Sequence, residues 1–194
     1  DISLKNNQVT VRDYGRGIPL GKIVECVSVI NTGAKYNDDV FQFSVGLNGV
    51  GTKAVNALSG HFRVLSIRDG KCSEAVFERG VLKSQRNGTV KAGVANGTLI
   101  EFIPDEEIFG DYEFNVEYIQ KRIWNYAYLN AGLVLNFNGE RYVSENGLLD
   151  LLDAEVGQDH LYPVGYYKGK QLEFAFTHSN NYGENYFSFV NGQF

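Results

Sequence analysis

Three glycines, Gly46, Gly49 and Gly51, lie within residues 44–51, directly before a segment with helical periodicity. Glycine has no Cβ, so the backbone of such a loop can approach a ligand closely, and the N–H groups at a helix N-terminus attract anions. The order GxxGxG differs from the dinucleotide motif GxGxxG, and no Gly-Lys-Ser/Thr follows, so neither a Rossmann nor a Walker loop is indicated. The segment predicts a phosphate-binding loop, with an ordinary turn as the alternative.

A second motif, DYGRGIP at residues 13–19, places a carboxylate at the end of a predicted strand. Residues 8–12 alternate apolar and polar side chains, which is typical of a strand. A carboxylate at the inner end of an apolar strand is costly unless a donor satisfies it, and the exocyclic amine of adenine is a suitable donor. Asp13 is therefore a candidate adenine ligand, with a side-chain cap of the turn as the alternative.

Lys35 lies between these motifs, in the sequence NTGAK at residues 31–35. Residues 20–30 before it have an apolar stripe at helical spacing, whereas residues 36–43 after it are polar and aromatic without a regular period. A lysine beside a segment that closes over a nucleotide would offer a point charge to the phosphates. An ordinary solvated lysine at a helix end is the alternative.

The elements that must position these residues alternate helical and strand-like patterns, which predicts an α+β fold. Thr98 follows a glycine at the start of a predicted strand, so its hydroxyl would either contact a ligand or simply begin that strand. The pattern predicts, in order, a hairpin around Asn6-Asn7, helices over 20–30 and 50–58, a hairpin across Asp69-Gly70, turns at Asn87-Gly88 and Asn96-Gly97, a strand over 98–103, a helix over 114–130, a strand over 133–138, a helix over 148–155, and strands over 161–167, 171–177 and 186–190.

Bulk composition limits the class of protein further. The 194 residues have a formal net charge of −5, and no basic run is long enough to follow a nucleic-acid backbone, so the chain is not expected to hold DNA by itself. Cys26 and Cys72 have no metal-ligand spacing, which favours buried thiols in a reducing compartment and hence the cytoplasm. No apolar stretch is long enough to span a bilayer, and no membrane partner is expected. The chain starts within a strand pattern without Met and stops after an aromatic run, so we expect a segment truncated at both ends.

Three ordered motifs, DYGRGIP, NTGAK and GLNGVG, resemble those of the ATPase domain of type IIA topoisomerase B subunits, the family of the B subunits of DNA gyrase and topoisomerase IV in the GHKL superfamily. The likeness extends to VNALS at 55–59, GT at 97–98, YLNAG at 128–132 and YFSFVNGQ at 186–193, and so covers essentially the whole chain. It implies a two-layer sandwich with helices on one face of a mixed sheet. Residues 1–145 would be the ATP-binding domain without its N-terminal helix, and residues 146–194 the first strands of a ribosomal S5-like transducer domain.

The resemblance also implies roles for individual residues. The Asp13 carboxylate would accept from adenine N6, helped by a water that Thr98 also holds, and Lys35 would be the lysine of the lid. The full implied ATP site comprises Asp13, Gly15, Gly17, Ile18, Lys35, Leu47, Asn48, Gly49, Val50, Gly51 and Thr98. The implied pocket mouth comprises Arg16, Pro19 and Arg68. Of these, Arg16 resembles an arginine that pairs with the catalytic Glu of the family, and Arg68 matches a position that inhibitors of this family contact.

The resemblance places the chemistry of hydrolysis outside this sequence. In the family, a helix before the first strand carries the Glu that activates water and the Asn that holds Mg²⁺, so no catalytic residue or metal ligand is assigned here. ATP and Mg²⁺ are implied for the parent enzyme, an ATP-hydrolysing DNA topoisomerase, and the chain alone is expected to be weakly active or inactive.

The implied partners are a second B subunit, the topoisomerase A subunit, DNA through the holoenzyme, and ATP-site inhibitors. The motifs are common to gyrase and topoisomerase IV. The alternatives are another GHKL ATPase such as a MutL-like protein, or a nucleotide-binding module without hydrolysis.

Overall fold

The computed structural model describes residues 1–30, 32, 49–157 and 159–190. The chain divides into two compact units, residues 1–114 and residues 115–194. The boundary predicted between residues 145 and 146 is of another kind, because it separates two functional domains and not two compact units. It stays a prediction. No helix among the described residues is long and apolar enough to cross a membrane.

The first unit is an antiparallel arrangement of strands with short helices, which agrees with the predicted α+β class. Its described strands lie in the order β5-β4-β3-β6-β2-β1, and each described pair is antiparallel. The strands are β1 (Ile2–Lys5), β2 (Gln8–Arg12), β3 (Ser59–Arg68), β4 (Lys71–Glu78), β5 (Val81–Thr89) and β6 (Gly97–Pro104). The helices are a 3-10 turn (Leu20–Lys22), α1 (Ile23–Ser28), α2 (Gly51–Ala57) and α3 (Glu106–Phe109).

The hydrophobic core of this unit lies between α1 and one face of the sheet. Ile23 and Val27, one helical turn apart, are buried against Phe62 on β3 and Phe77 on β4. Side chains alternate between the two faces of a strand, so the pattern Phe62, Val64, Ser66 presents one face of β3 to this core. Residues of α1 and Val55 of α2 therefore pack on one face of the sheet, as expected for a two-layer arrangement.

The opposite face of the sheet carries a network of charged side chains. Arg63 on β3 donates from Nε to Glu74 on β4 at 2.5 Å and from Nη1 to Glu101 on β6. The hydrogen bond from Arg63 holds the pKa of the Glu74 carboxyl below its ordinary value, and burial opposes this only in part. The three side chains join three adjacent strands on the face opposite the core.

Two predictions for the first unit differ from the structure. The helix predicted over 20–30 is present but ends two residues early, at Ser28. The chain leaves the helix at Val29, and the Thr32 hydroxyl shares its hydrogen between the Glu25 and Val29 carbonyls, at 2.9 and 2.6 Å. The turn predicted at Asn87-Gly88 lies inside β5, where pairing with β4 overrides the local turn preference. The turn between β4 and β5 is instead at Arg79-Gly80, where both residues have positive φ.

The second unit contains two helices and two hairpins among its described residues: α4 (Val116–Leu129), β7 (Leu135–Phe137), β8 (Glu140–Tyr142), α5 (Leu148–Val156), β9 (Gly165–Lys168) and β10 (Glu173–Phe176). Asn115 begins α4, because its side chain accepts from the Tyr118 N–H at 3.0 Å. The helices predicted over 114–130 and 148–155 are therefore confirmed. The strand predicted over 186–190 is wrong, since residues 186–189 have no regular secondary structure.

The Arg63 network makes stability depend on pH. Since the pKa of Glu74 is lowered in the folded chain, its contribution is present above the ordinary pKa of a glutamate and is lost as pH falls through the folded value. We expect the free energy of unfolding, measured by urea titration at about pH 7 and about pH 3.5, to fall less for Glu74→Gln than for the wild type. Glu113→Gln, at an exposed glutamate of the same unit, is the control and should behave as wild type. An identical pH response in all three proteins would contradict the expectation.

Candidate functional site

Asp13 lies directly after β2, where the first motif begins. Its backbone N–H donates to the Thr98 carbonyl at 2.9 Å, which continues the pairing of β2 with β6 by one residue. Its side-chain Oδ1 accepts from the Gly15 N–H at 2.8 Å, so the turn cap considered from the sequence is present. The residue is exposed, and no described residue donates to Oδ2. One carboxylate oxygen therefore stabilises the turn while the other is open to a donor.

Thr98 lies on β6 next to Asp13, and its residue exposure is only 8%. The register places Thr98 opposite Ser66 of β3 and Leu99 opposite Arg12 of β2. The backbones of Asp13 and Thr98 thus meet because β6 lies between β2 and β3. The structure brings together two residues that are more than eighty positions apart in the sequence and that the resemblance assigned to one site.

Gly17 and Ile18 lie against the end of β3. A Cβ added to Gly17, whose φ is +73°, would lie 2.7 Å from the Ile67 carbonyl oxygen and 3.1 Å from the Arg68 Cγ. The Ser66 hydroxyl donates to the Ile18 carbonyl at 2.6 Å. The turn of the first motif is therefore in direct contact with β3, and Arg68 of the predicted pocket mouth is beside Gly17.

Ser66 is a site residue that sequence reasoning missed. It is fully buried and occupies a position that is apolar in the alternation of Phe62 and Val64. A buried hydroxyl must find a hydrogen-bond partner, and here it holds the carbonyl of a predicted pocket residue. The interruption of an apolar strand face by serine was a feature of the sequence that could have indicated this contact.

The remaining predicted residues are placed only in part. Arg16 is exposed, and Pro19 directly precedes the 3-10 turn, where its carbonyl accepts from the Lys22 N–H at 2.8 Å. Gly49 and Val50 lead into α2, which begins at Gly51, and the Val50 side chain does not cap the helix. Lys35, Leu47 and Asn48 lie outside the described residues.

Comparison with known proteins identifies the family. No protein-family model matches the chain. The chain is 58% identical over its whole length to the B subunit of DNA topoisomerase 4 from Borreliella burgdorferi, covering 32% of that protein, and 34% identical to the B subunit of DNA gyrase from Helicobacter pylori, with 93% of the chain and 26% of that protein aligned. The chain belongs to the family of type IIA topoisomerase B subunits.

Structural comparison agrees with this family. The fold is similar to the 43K ATPase domain of Thermus thermophilus gyrase B, solved in complex with an aminocoumarin, with a TM-score of 0.69, 28% identity, and coverage of 94% of this chain and 51% of that one. The α+β GHKL fold expected from the topoisomerase resemblance is therefore confirmed. The chain spans about a third or less of the length of the curated topoisomerase relatives reported above.

The described side chains do not cluster in the way that the ligands of a metal ion do. No group of three or more His, Cys, Asp or Glu side chains close enough to hold a metal ion occurs among residues 1–30, 32, 49–157 and 159–190. The polar groups at the candidate site are instead the Asp13 carboxylate and the Thr98 hydroxyl, because the Ser66 hydroxyl donates to the Ile18 carbonyl. Such groups suit hydrogen bonding to an uncharged heterocycle better than charge neutralisation.

The close packing of Gly17 on β3 leads to a prediction that needs no ligand. Gly17→Ala should lower the free energy of unfolding by about 1 to 3 kcal/mol more than Gly70→Ala, because the added methyl group would overlap the Ile67 carbonyl. Gly70 is a matched control, since its φ is +76° but nothing lies within 4 Å of its Cβ position. Urea unfolding of the two variants measures the difference. Equal losses would show that residues 15–18 can move away from β3 without cost.

Proposed function

We propose that this chain forms the adenine-binding part of the ATP site of a bacterial type II topoisomerase B subunit, in which ATP binding and hydrolysis drive DNA strand passage. The observation that carries the proposal is the juxtaposition of Asp13, Thr98 and Gly17 at neighbouring strand ends in a chain 58% identical to a topoisomerase subunit. Curated relatives of both the topoisomerase IV and the gyrase kind support it, and they do not favour a MutL-like protein.

The described residues fit an adenine base. The open Oδ2 of Asp13 can accept a hydrogen bond from the exocyclic amine. Thr98 pairs with Asp13 through the backbone, and in this proposal its hydroxyl shares a bridging water with the Asp13 carboxylate. Gly17 presents bare backbone beside them, and Ile18 provides apolar surface that packs on the core. A base needs one flat apolar contact and a few fixed polar groups, and this set of residues supplies both.

The phosphates and the pocket mouth would be held by residues that flank the adenine position. In this proposal Lys35 and the backbone of Leu47, Asn48, Gly49, Val50 and Gly51 bind the phosphates, and Gly15 supports Asp13 through its N–H. Arg16, Pro19 and Arg68 would form the mouth, where an ATP-site inhibitor would bind. The assignment of Arg68 to the mouth is supported by its closeness to Gly17. The gyrase B neighbour was itself solved with an aminocoumarin.

Hydrolysis is proposed for the whole parent protein and not for a residue of this chain. The family resemblance assigns the general base and the Mg²⁺ ligand to a helix that is not part of this sequence. Among the described residues, no group of three or more His, Cys, Asp or Glu side chains could hold a metal ion. General-base catalysis typically contributes about 10²- to 10⁴-fold to a rate. We therefore propose that the chain binds ATP but hydrolyses it slowly or not at all without that helix.

The organisation proposed for the parent protein follows the same family. Residues 1–145 would be the ATP-binding domain and residues 146–194 the start of the transducer, and ATP would close a dimer of two B subunits. The A subunit and DNA would be partners through the holoenzyme, and the cytoplasm would be the location. The free thiols of Cys26 and Cys72 are compatible with that reducing compartment.

Calorimetric titration of the chain tests the proposal. A non-hydrolysable ATP analogue and, separately, an aminocoumarin should each bind with one-to-one stoichiometry, and the two should compete. Because the resemblance places the Mg²⁺ ligand outside this sequence, nucleotide affinity should depend little on Mg²⁺. Absence of binding by both ligands would refute an assembled adenine pocket in this chain.

Substitution of Asp13 tests the residue assignment. Asp13→Asn should weaken binding of the ATP analogue by about 1 to 3 kcal/mol, because a charge-assisted hydrogen bond to the adenine amine is lost. Asp111→Asn, at an exposed aspartate of the same unit, is the matched control and should leave the affinity unchanged. Equal affinities of the wild type and Asp13→Asn would remove Asp13 from the site.

A further inference from the structure

Arg12, the residue directly before Asp13, binds the turn that precedes Thr98. Its Nη2 donates to the Ala95 carbonyl at 2.8 Å and to the Asn96 carbonyl at 3.3 Å. Its guanidinium also lies over the Tyr14 ring, with 5.0 Å from Cζ to the ring centroid. One side chain therefore joins the end of β2 to a turn 83 positions away along the chain.

This turn is pressed closely against the Asp13 backbone. A Cβ added to Gly97, whose φ is +134°, would lie 2.1 Å from the Asp13 carbonyl oxygen and 2.6 Å from the Arg12 Nη1. The Asp13 N–H and Thr98 carbonyl are hydrogen-bonded at 2.9 Å immediately beside this contact. Any shift of residues 95–97 would therefore change the distance between Asp13 and Thr98.

A second pair of hydrogen bonds extends the connection to β3. The Asn96 side chain accepts from the Asp69 N–H at 2.8 Å and donates to the Asp69 carboxylate at 3.1 Å. Asp69 is the first residue of the turn after β3, so it directly follows Arg68 in the chain. Arg12 and Asn96 thus connect the ends of β2, β6 and β3, where the adenine-binding residues and the pocket mouth are proposed.

The burial of Arg12 Nη1 also needs an explanation. This atom is buried and has no hydrogen-bond partner among the described residues. A buried donor without a partner destabilises the fold. The hydrogen bonds that Arg12 does make are therefore a poor explanation, in terms of stability alone, for an arginine at this position. Holding two successive carbonyls while stacking on Tyr14 requires the planar guanidinium, and a lysine ammonium cannot do both.

We infer that Arg12 is a positioning residue for nucleotide recognition: through the carbonyls of Ala95 and Asn96 it fixes Thr98 against Asp13. The inference deepens the proposed function and rests on it. Arg12 makes no hydrogen bond to the Asp13 carboxylate among the described residues, so its effect on a ligand passes through the backbone of residues 95–98.

Hydrogen exchange of the ligand-free chain tests the positioning itself. Arg12→Gln should speed exchange of the Asp13 amide about tenfold, because the Thr98 carbonyl that accepts it is held less firmly. Arg86→Gln is the matched control, since Arg86 lies on the same sheet with a side chain 73% exposed, and it should leave this amide unchanged. An unchanged Asp13 amide in Arg12→Gln would overturn the inference.

A double-mutant cycle tests the consequence for binding. Arg12→Gln should weaken binding of a non-hydrolysable ATP analogue about tenfold in the wild type but have little effect in Asp13→Asn, because its action passes through Asp13. An equal loss in both backgrounds would indicate a general structural role and would overturn the inference. Arg12→Lys keeps the charge and should restore only part of the affinity; full restoration would also contradict the proposed role.

The failures of the two proposals can be distinguished. If the wild type binds no nucleotide while Arg12→Gln still speeds exchange of the Asp13 amide, the proposed function fails but Arg12 does position the strand ends. If the wild type binds nucleotide and Arg12→Gln has wild-type affinity, the inference fails and the proposed function stands. Should Arg12→Gln not fold, both measurements are made with Arg12→Lys, for which an unchanged Asp13 amide overturns the inference.

Discussion

The candidate site depends on the insertion of β6 between β2 and β3. The ladder pairs Arg12 with Leu99 on one side of β6 and Ser66 with Thr98 on the other. These pairs bring the first motif, residues 13–19, and the end of β3 to the same end of the sheet. The two segments are far apart in the sequence. Without this pairing, Asp13 would be only a turn residue at the end of a local hairpin.

Two glycines make the contacts at these strand ends possible. Gly17 lets the turn after Asp13 lie against the Ile67 carbonyl, and Gly97 lets the turn before β6 approach the Asp13 carbonyl. Both have positive φ, so a side chain would add strain as well as a clash. Close backbone packing thereby brings the Asp13 carboxylate, the Thr98 hydroxyl and the bare backbone of Gly17 to neighbouring strand ends.

The two faces of the sheet have different physical roles. One face buries Phe62, Val64 and Phe77 against α1, which supplies most of the apolar burial in the first unit. The other face carries Arg63 between Glu74 and Glu101, where partial exposure lets charges pair at a modest desolvation cost. An antiparallel sheet tolerates this asymmetry because its side chains alternate between faces.

Much of this architecture could be predicted from the sequence. Asn6-Asn7 and Asp69-Gly70 form the expected turns with positive φ, because their conformations depend on neighbouring residues alone. The helix beginning at Val116 was predictable from its apolar spacing, and the structure adds the Asn115 cap at its start. The ordered glycine and aspartate motifs were enough to indicate the topoisomerase family, which the comparisons confirmed.

The tertiary structure decided the rest. Local preference favoured a turn at Asn87-Gly88, but a ladder with β4 stabilises a strand there. Ser66 and Arg12 have no motif of their own, and their roles appear only when distant strands supply the Ile18, Ala95 and Asn96 carbonyls that they bind. The sequence by itself determined the turns at Asn6-Asn7 and Asp69-Gly70, the helix beginning at Val116 and the family, because these depend on residues near one another in the chain. Which polar groups meet at the site was decided by strand register, because register is set by pairing and packing between residues far apart in the sequence.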